Sequence, residues 1–140
     1  MRECGECIVC CVYPKIPELD KDGMRHCVHA MADEPEIPGE RVCYTGKGCD
    51  SYNGRPEVCR AYTCEWKRGR GSDADRPDRC GVLIDRNKGI GNAVECKPLW
   101  PNAANEDAGA AAIKRIAQDA DMAALVLSFY ESRLMRVVVP

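Results

Sequence analysis

The chain has 140 residues and a formal net charge of −2 at pH 7, which is the size of one domain and leaves room for a modest apolar core. The near balance of charge lacks the electrostatic footprint of a nucleic-acid-binding protein, so we expect no nucleic-acid partner. No run approaches the roughly 18 apolar residues of a membrane span, so we expect no membrane partner either.

Clustered cysteines open the chain. The segment CGECIVCC contains Cys4, Cys7, Cys10 and Cys11, and each Cys-x2-Cys loop can turn two thiolates towards one metal ion. The side chains of neighbouring residues such as Cys10 and Cys11 tend to point apart, which indicates two metal sites, or one cluster and a second ion. The spacing also resembles that of bacterial iron–sulfur proteins, although the Cys-Pro that closes their pattern is absent.

Disulfides and a reactive thiol are the competing interpretations of this cysteine content. No apolar signal-peptide core precedes Cys4, so we expect a cytoplasmic chain, in which thiols stay reduced. The total of eleven cysteines is odd, which further disfavours a disulfide framework. His26 and His29 lie beside Cys27, but no third group at a recognisable spacing would orient a Cys-His pair. Whether the chain is an enzyme therefore stays open.

Cysteines farther along the chain complete the set of thiolates. Cys49 lies in a Gly-rich stretch, and Cys59 and Cys64 have a Cys-x4-Cys spacing that metal loops use. Together with Cys27 and the opening cluster they give eight thiolates, which suffice for two four-coordinate centres. The candidate metal ligands are Cys4, Cys7, Cys10, Cys11, Cys27, Cys49, Cys59 and Cys64.

Residues 1–64 are poor in the side chains that build a core. They carry nine of the eleven cysteines, five of the nine prolines and no Phe, so their apolar burial cannot easily offset the entropy of ordering. Metal coordination is therefore predicted to hold this part together. We divide the chain into a Cys-rich metal-binding region at residues 1–79 and a scaffold at residues 80–140, both within a single domain. The basic run KRGR at residues 67–70 is interpreted as a solvated loop.

The scaffold begins with a predicted hairpin and a predicted helix. CGVLID at residues 80–85 and NAVECKPLW at residues 92–100 are β-prone runs joined by a Gly-rich turn. Asn105 is the predicted N-cap of the helix that follows. Ile113, Ile116, Ala117 and Ala120 recur on one helical face.

The tail after residue 122 favours two strands over a continued helix. Leu125, Leu127 and Phe129 alternate, YESR at residues 130–133 supplies a turn, and the segment MRVVV is largely β-branched. The predicted fold class is α+β: an irregular, metal-stabilised Cys-rich N-terminal part packed on a small antiparallel sheet with one helix.

Four motifs together resemble those of the bacterial CxxCxxCC cysteine-cluster family. They are CGECIVCC, CVH, GCDSYNGRPEVCRAYTCEW and RPDRCGVLID, and they cover roughly residues 4–85. The resemblance implies a zinc- or iron-chelating protein in which the eight candidate ligands are the family cysteines. Cys43, Cys80 and Cys96 depart from the family pattern and are not assigned as ligands.

Three functions follow from these observations. The first is a metal-binding protein that holds zinc through clustered thiolates, with metal ions as its ligands and a biological role that the sequence does not define. The second is an iron–sulfur protein, for example with a [4Fe-4S] cluster, that passes electrons or assists a redox enzyme. The third is a redox switch that releases zinc when its thiolates are oxidised. The sequence identifies no protein partner or substrate.

Overall fold

The computed structural model of the chain describes residues 1–5, 7, 9, 57–87, 89–129 and 133–140. The chain divides into two compact units. The scaffold unit contains Met1–Glu3 and Thr63–Pro140, and the Cys-rich unit contains Cys4–Tyr62.

Residues 63–79 group with the scaffold, whereas the sequence places the boundary after residue 79. The backbone N–H of Glu65 donates to the carbonyl of Ile84 at 2.9 Å, on the first strand of the sheet. The guanidinium of Arg115, on the long helix, donates to the carboxylate of Asp75. These long-range contacts tie the stretch to the scaffold, and a local sequence pattern does not reveal them.

The predicted hairpin is confirmed. Strand β1, Val82–Arg86, pairs antiparallel with strand β2, Ala93–Pro98. In the turn between them, Asn87 Oδ1 accepts hydrogen bonds from the backbone N–H groups of Gly89 at 2.8 Å and Ile90 at 2.6 Å. An asparagine commonly orders a turn in this way, by binding the backbone that follows it.

Among the described residues, two short α-helices precede the hairpin. Helix α1, Glu57–Ala61, belongs to the Cys-rich unit, and helix α2, Pro77–Cys80, belongs to the scaffold. Helix α2 ends at Gly81, whose φ of 79° lies in the left-handed region. A Cβ atom at this position would lie 2.5 Å from the ring of Trp100, so both the backbone conformation and the packing require glycine.

The long helix α3, Asp107–Ala120, begins after Glu106. The prediction that Asn105 is its N-cap is therefore wrong by one residue. Asn105 instead ends a 3-10 turn, and its side-chain amide donates to Asn102 Oδ1 at 2.8 Å. The Asn105 side chain is thus hydrogen-bonded within the preceding turn and does not cap the helix. The N-cap residue Glu106 accepts a hydrogen bond from Trp100 Nε1 at 3.1 Å through its side chain.

The predicted apolar face of α3 is buried. Ile113, Ile116 and Ala117 are each at most 1% exposed, and Ala120 is half-buried. Gly109 also lies on the buried side, where a Cβ atom would collide with the carbonyl oxygen of Ala103. The helix thus contains a poor helix former at a point where the backbone of Ala103 leaves no room for a Cβ atom.

The tail forms two strands, as predicted, but the sheet is mixed and not wholly antiparallel. Strand β3, Ala123–Leu127, pairs antiparallel with strand β4, Leu134–Val138, and parallel with β2. The sheet order is β1-β2-β3-β4. Helix α3 connects β2 to β3, and a helical crossover returns the chain in the same direction, which makes this central pair parallel.

The core of the scaffold lies between the sheet and α3, which contacts all four strands. Buried aliphatic residues from β1, β2 and β3, among them Ile84, Val94 and Val126, pack with Ile113 and Ile116 of the helix. These observations establish an α+β fold for the scaffold. Across the part of the chain that the structure describes, no helix is long and apolar enough to cross a membrane.

Candidate metal centre

The first Cys-x2-Cys of the opening cluster forms a tight turn. The backbone N–H of Cys7 donates to the carbonyl of Cys4 at 3.0 Å, and Gly5 adopts a left-handed φ of 57°. A turn closed by this hydrogen bond keeps its first and fourth residues within about 7 Å of each other. The two cysteines therefore share the kind of loop by which a Cys-x2-Cys motif chelates a metal ion.

Cys4 and Cys7 differ in exposure. Cys4 is half-exposed, whereas Cys7 is 8% exposed. The two thiols of this turn therefore differ in their access to solvent.

Cys59 and Cys64 lie on different units. Cys59 is half-buried on helix α1 of the Cys-rich unit, between Val58 and the exposed Arg60. Cys64 is 8% exposed and belongs to the scaffold unit. The Cys-x4-Cys motif therefore begins on a short helix of the Cys-rich unit and ends in the scaffold unit.

Cys64 begins a compact loop at residues 64–71. The carbonyl of Cys64 accepts a hydrogen bond from the backbone N–H of Arg68 at 3.1 Å, and the carbonyl of Glu65 accepts one from Arg70 at 3.1 Å. Trp66 is buried, and its Nε1 donates to the carbonyl of Ser72 at 2.9 Å. This backbone network fixes the position of Cys64 from within the scaffold.

A buried carboxylate follows Cys64 directly in the chain. The side chain of Glu65 is fully buried, and Arg86 donates to it through two nitrogens at 3.1 and 3.3 Å. Arg68 and Arg70 approach the same carboxylate at 3.4 and 3.8 Å. The hydrogen bonds to Glu65 raise the pKa of Arg86 above its ordinary value. Three guanidinium groups around one carboxylate leave a surplus of positive charge beside the loop.

This cluster revises the interpretation of residues 67–70 as a solvated loop. Arg68 and Arg70 keep 44% and 39% of their side chains exposed, but both are paired with Glu65. The partner Arg86 lies 21 positions away, so the ion pairs depend on how β1 packs. The one signal in the sequence is a lone glutamate between a cysteine and a tryptophan.

Cys80 and Cys96 are buried in the scaffold core, at 1% and 0% exposure. Burial raises the pKa of the Cys80 thiol to about 12 and also raises the pKa of Cys96. The Cys80 Sγ lies 3.4 Å from the carbonyl oxygens of Asp75 and Val82, either of which can accept a weak hydrogen bond from its single S–H. These thiols stay protonated at neutral pH and pack as small core residues.

The remaining candidate ligands lie outside the described residues. They are Cys10, Cys11, Cys27 and Cys49, and the unassigned Cys43, His26 and His29 lie there as well. Over the described ranges alone, no three side chains of Cys, His, Asp or Glu are grouped so that they could hold a metal ion. The full ligand set thus remains a prediction, of which the structure describes four members.

Comparison of the chain with protein-family models, with curated proteins and with solved structures gives no match. The likeness to the CxxCxxCC family therefore rests on the sequence motifs.

Proposed function

We propose that this chain is a metal-binding protein that holds zinc or iron through clustered cysteine thiolates in a reducing, cytoplasmic compartment. The ligands are the eight cysteines predicted from the sequence, and metal coordination organises the irregular Cys-rich N-terminal part.

The observation that carries the proposal is the hydrogen-bonded turn between Cys4 and Cys7. A Cys-x2-Cys pair chelates only if both thiols can turn to the same side, and a left-handed Gly5 at its second position permits such a turn. The contrast with Cys80 and Cys96 adds support, because those two thiols are buried among aliphatic side chains and kept protonated.

Charge balance is a further requirement of such a centre. Eight thiolates around two divalent ions would leave a net charge of about −4, and nearby cations would have to offset it. The sequence supplies Arg41, Lys47, Arg55 and Arg60 close to the downstream cysteines. The surplus of arginine around Glu65 adds positive charge in the scaffold unit, beside the loop that Cys64 begins.

Zinc is the first choice of metal because the candidate ligands are spread as Cys pairs over about sixty residues, as in zinc-stabilised structures. The second candidate function is an iron–sulfur redox protein, which is favoured by the run Cys4-x2-Cys7-x2-Cys10. Anaerobic purification followed by metal quantification and an absorption spectrum separates the two. A colourless protein with stoichiometric zinc supports the first, and a brown protein with iron and sulfide supports the second.

Substitution of single cysteines tests the ligand assignment. Cys7→Ser and Cys59→Ser should each lower the metal content, because each removes a predicted ligand. Cys96→Ser is the matched control and should retain the full content, because Cys96 is buried in the scaffold core. Equal metal content in all three variants would contradict the assignment.

A further inference from the structure

Arg2 makes an unusually dense set of contacts with the loop at residues 64–71. Its backbone N–H donates to the carbonyl of Lys67 at 2.9 Å. Its guanidinium donates to three more carbonyls, those of Trp66 at 3.3 Å, Arg70 at 3.0 Å and Gly71 at 2.6 Å. The same group lies 5.1 Å from the centroid of the Trp66 ring, a distance at which a cation is attracted to the face of the ring.

These contacts join two points that are far apart in the sequence. Arg2 and Lys67 both belong to the scaffold unit, and the chain leaves that unit after Glu3 and returns to it at Thr63. The contacts of Arg2 therefore close residues 4–62 into a loop whose two ends are both held by the scaffold. Guanidinium forks that bind several carbonyls hold a chain segment with defined geometry, which a lysine does not reproduce.

Loop closure matters because the candidate ligands are widely spaced. Cys4 and Cys64 are sixty positions apart, and an open chain pays an entropic cost to bring distant segments together. A chain whose ends are already joined has met part of this cost before a ligand binds, so it binds more tightly.

We propose that Arg2 is a positioning residue for metal capture: by tying its own segment to the loop at residues 64–71, it holds the two ends of the Cys-rich segment together and strengthens metal binding by the candidate thiolates. This inference rests on the proposed function. Arg2 is not a metal ligand, so its effect is on the chain and not on the coordination sphere.

The test measures the affinity of the full-length, reduced chain for Zn²⁺, Co²⁺ and Cd²⁺ by competition with a chromophoric chelator. Arg2→Ala should weaken binding roughly tenfold, which is the size expected for the loss of charge-assisted hydrogen bonds. The three ions should lose affinity by a similar factor, because the cost of closing the chain does not depend on which ion is bound. A change in the ligands themselves would affect these ions unequally.

Arg136→Ala is the matched control. Arg136 also donates from its guanidinium to a backbone carbonyl, that of Ala104 at 2.9 Å, and to the side chain of Asn105. The substitution thus removes one charge and a similar anchoring group from the scaffold unit. Arg136, unlike Arg2, does not lie at an end of the Cys-rich segment. Its metal affinity should equal that of the unsubstituted chain, and near-ultraviolet circular dichroism reports whether the scaffold stays folded.

Arg2→Lys decides the case if Arg2→Ala fails to fold. The lysine keeps the charge and the backbone hydrogen bond to Lys67 but cannot bind three carbonyls at once, so an intermediate affinity supports the proposal. Equal affinity for Arg2→Ala and the unsubstituted chain would overturn this inference alone, as would an equal loss in Arg136→Ala. Absence of metal uptake by the unsubstituted chain would overturn the proposed function and this inference with it.

Discussion

The two units of the chain differ in what is available to hold them together. The scaffold unit buries aliphatic side chains between a four-stranded sheet and one long helix, and two of its three cysteines belong to that core. The Cys-rich unit carries the other eight cysteines and few aliphatic residues. The same side chain therefore has two uses in one chain: apolar filler where a core exists, and predicted metal ligand where the composition cannot build one.

The comparison also separates two kinds of polar anchor. In the scaffold, two buried carboxylates are satisfied by arginines: Glu65 is paired with Arg86, and Asp75 with Arg115. Arg2 instead binds backbone carbonyls and so restrains the path of the chain. The scaffold thus offers a fixed frame to a segment for which the sequence predicts that order comes from a bound ion.

Metal removal should have the largest effect, and it tests whether the two units differ in their dependence on a bound ion. A chelator added to the fully reduced protein should unfold the Cys-rich unit, because thiolate coordination contributes on the order of 10 kcal/mol to the folding of small zinc-bound structures. The scaffold unit should stay folded, because its core is apolar. Hydrogen exchange measured by mass spectrometry should show rapid exchange over residues 4–62 and retained protection in α3 and β2. Retained protection in both units would show that the Cys-rich unit does not depend on metal.

A substitution in the packed core of the scaffold should have the opposite result: it should lower the stability of the scaffold unit and leave the metal content unchanged. Gly81→Ala should lower the free energy of unfolding of the scaffold by roughly 3 kcal/mol, because it combines a left-handed φ with a collision against Trp100. Its metal content should be unchanged. Urea unfolding followed by tryptophan fluorescence measures the first quantity, and elemental analysis measures the second.

Gly91→Ala is the control for this substitution. Gly91 has nearly the same φ, 78°, but nothing lies within 4 Å of a Cβ built there. It should therefore cost only about 1 kcal/mol, the backbone part of the effect. If the two variants were equally stable, the contact with Trp100 would not be the reason for the glycine at position 81.

Local sequence patterns predict the four strands and the long helix of the scaffold, but not helix α2 or the 3-10 turns at Asp73–Asp75 and Ala103–Asn105. The alternation in β3, the β-branched tail and the apolar face of α3 all depend on neighbours within a few positions. Strand pairing is harder to predict from the sequence. The runs at residues 92–100 and 123–127 contain no signal that they pair, and their parallel arrangement follows from the helix that connects them. The cap was misplaced because Asn105 binds Asn102 instead of the helix.

For the candidate site, the sequence predicts the type of ligand but not the surrounding contacts. Spacing predicts that Cys4 and Cys7 bind one metal ion together, and the turn that joins them is formed by neighbouring residues. The contacts of Arg2 and of Glu65 join residues 69 and 21 positions apart, and no periodicity encodes such pairs. They depend on where the loop at residues 64–71 lies on the folded scaffold.

Thiol alkylation should distinguish the core cysteines from the candidate ligands by their reactivity. In reduced, chelator-treated protein at pH 8, Cys4 and Cys59 should react with iodoacetamide, whereas Cys80 and Cys96 should stay unmodified. The thiolate is the reactive form, and a pKa of about 12 leaves roughly one Cys80 in 10⁴ ionised at this pH. Peptide mapping by mass spectrometry measures the modified fraction of each cysteine.

Unfolding the protein in guanidinium should make all eleven cysteines reactive, which controls for peptides that are poorly detected. Modification of Cys96 at the same rate as Cys4 in the absence of denaturant would mean that the core opens as readily as the metal-free Cys-rich unit. The distinction between core cysteines and candidate ligands would then be lost.

In chelator-treated protein, which has no thiolate-bound metal for protons to release, acid should produce the smallest effect, and it should fall on the scaffold. Burial alone would raise the pKa of Asp75, but hydrogen bonds from Arg115 and Ser72 outweigh it and hold the pKa below the ordinary value of 3.8. A carboxyl whose pKa is lower in the folded state stabilises the fold above its unfolded pKa and loses that contribution as the pH falls through the folded value. The melting temperature of the scaffold should therefore fall as the pH drops below about 4.

Asp75→Asn isolates this contribution. The variant should melt at a lower temperature at pH 7, because the pairing with Arg115 loses its charge, and its melting temperature should change less between pH 7 and pH 3. Asp73→Asn, an exposed position two residues away, should keep the acid sensitivity of the unsubstituted chain. An undiminished acid transition in Asp75→Asn would show that the pairing of Asp75 with Arg115 is not the source of the acid sensitivity.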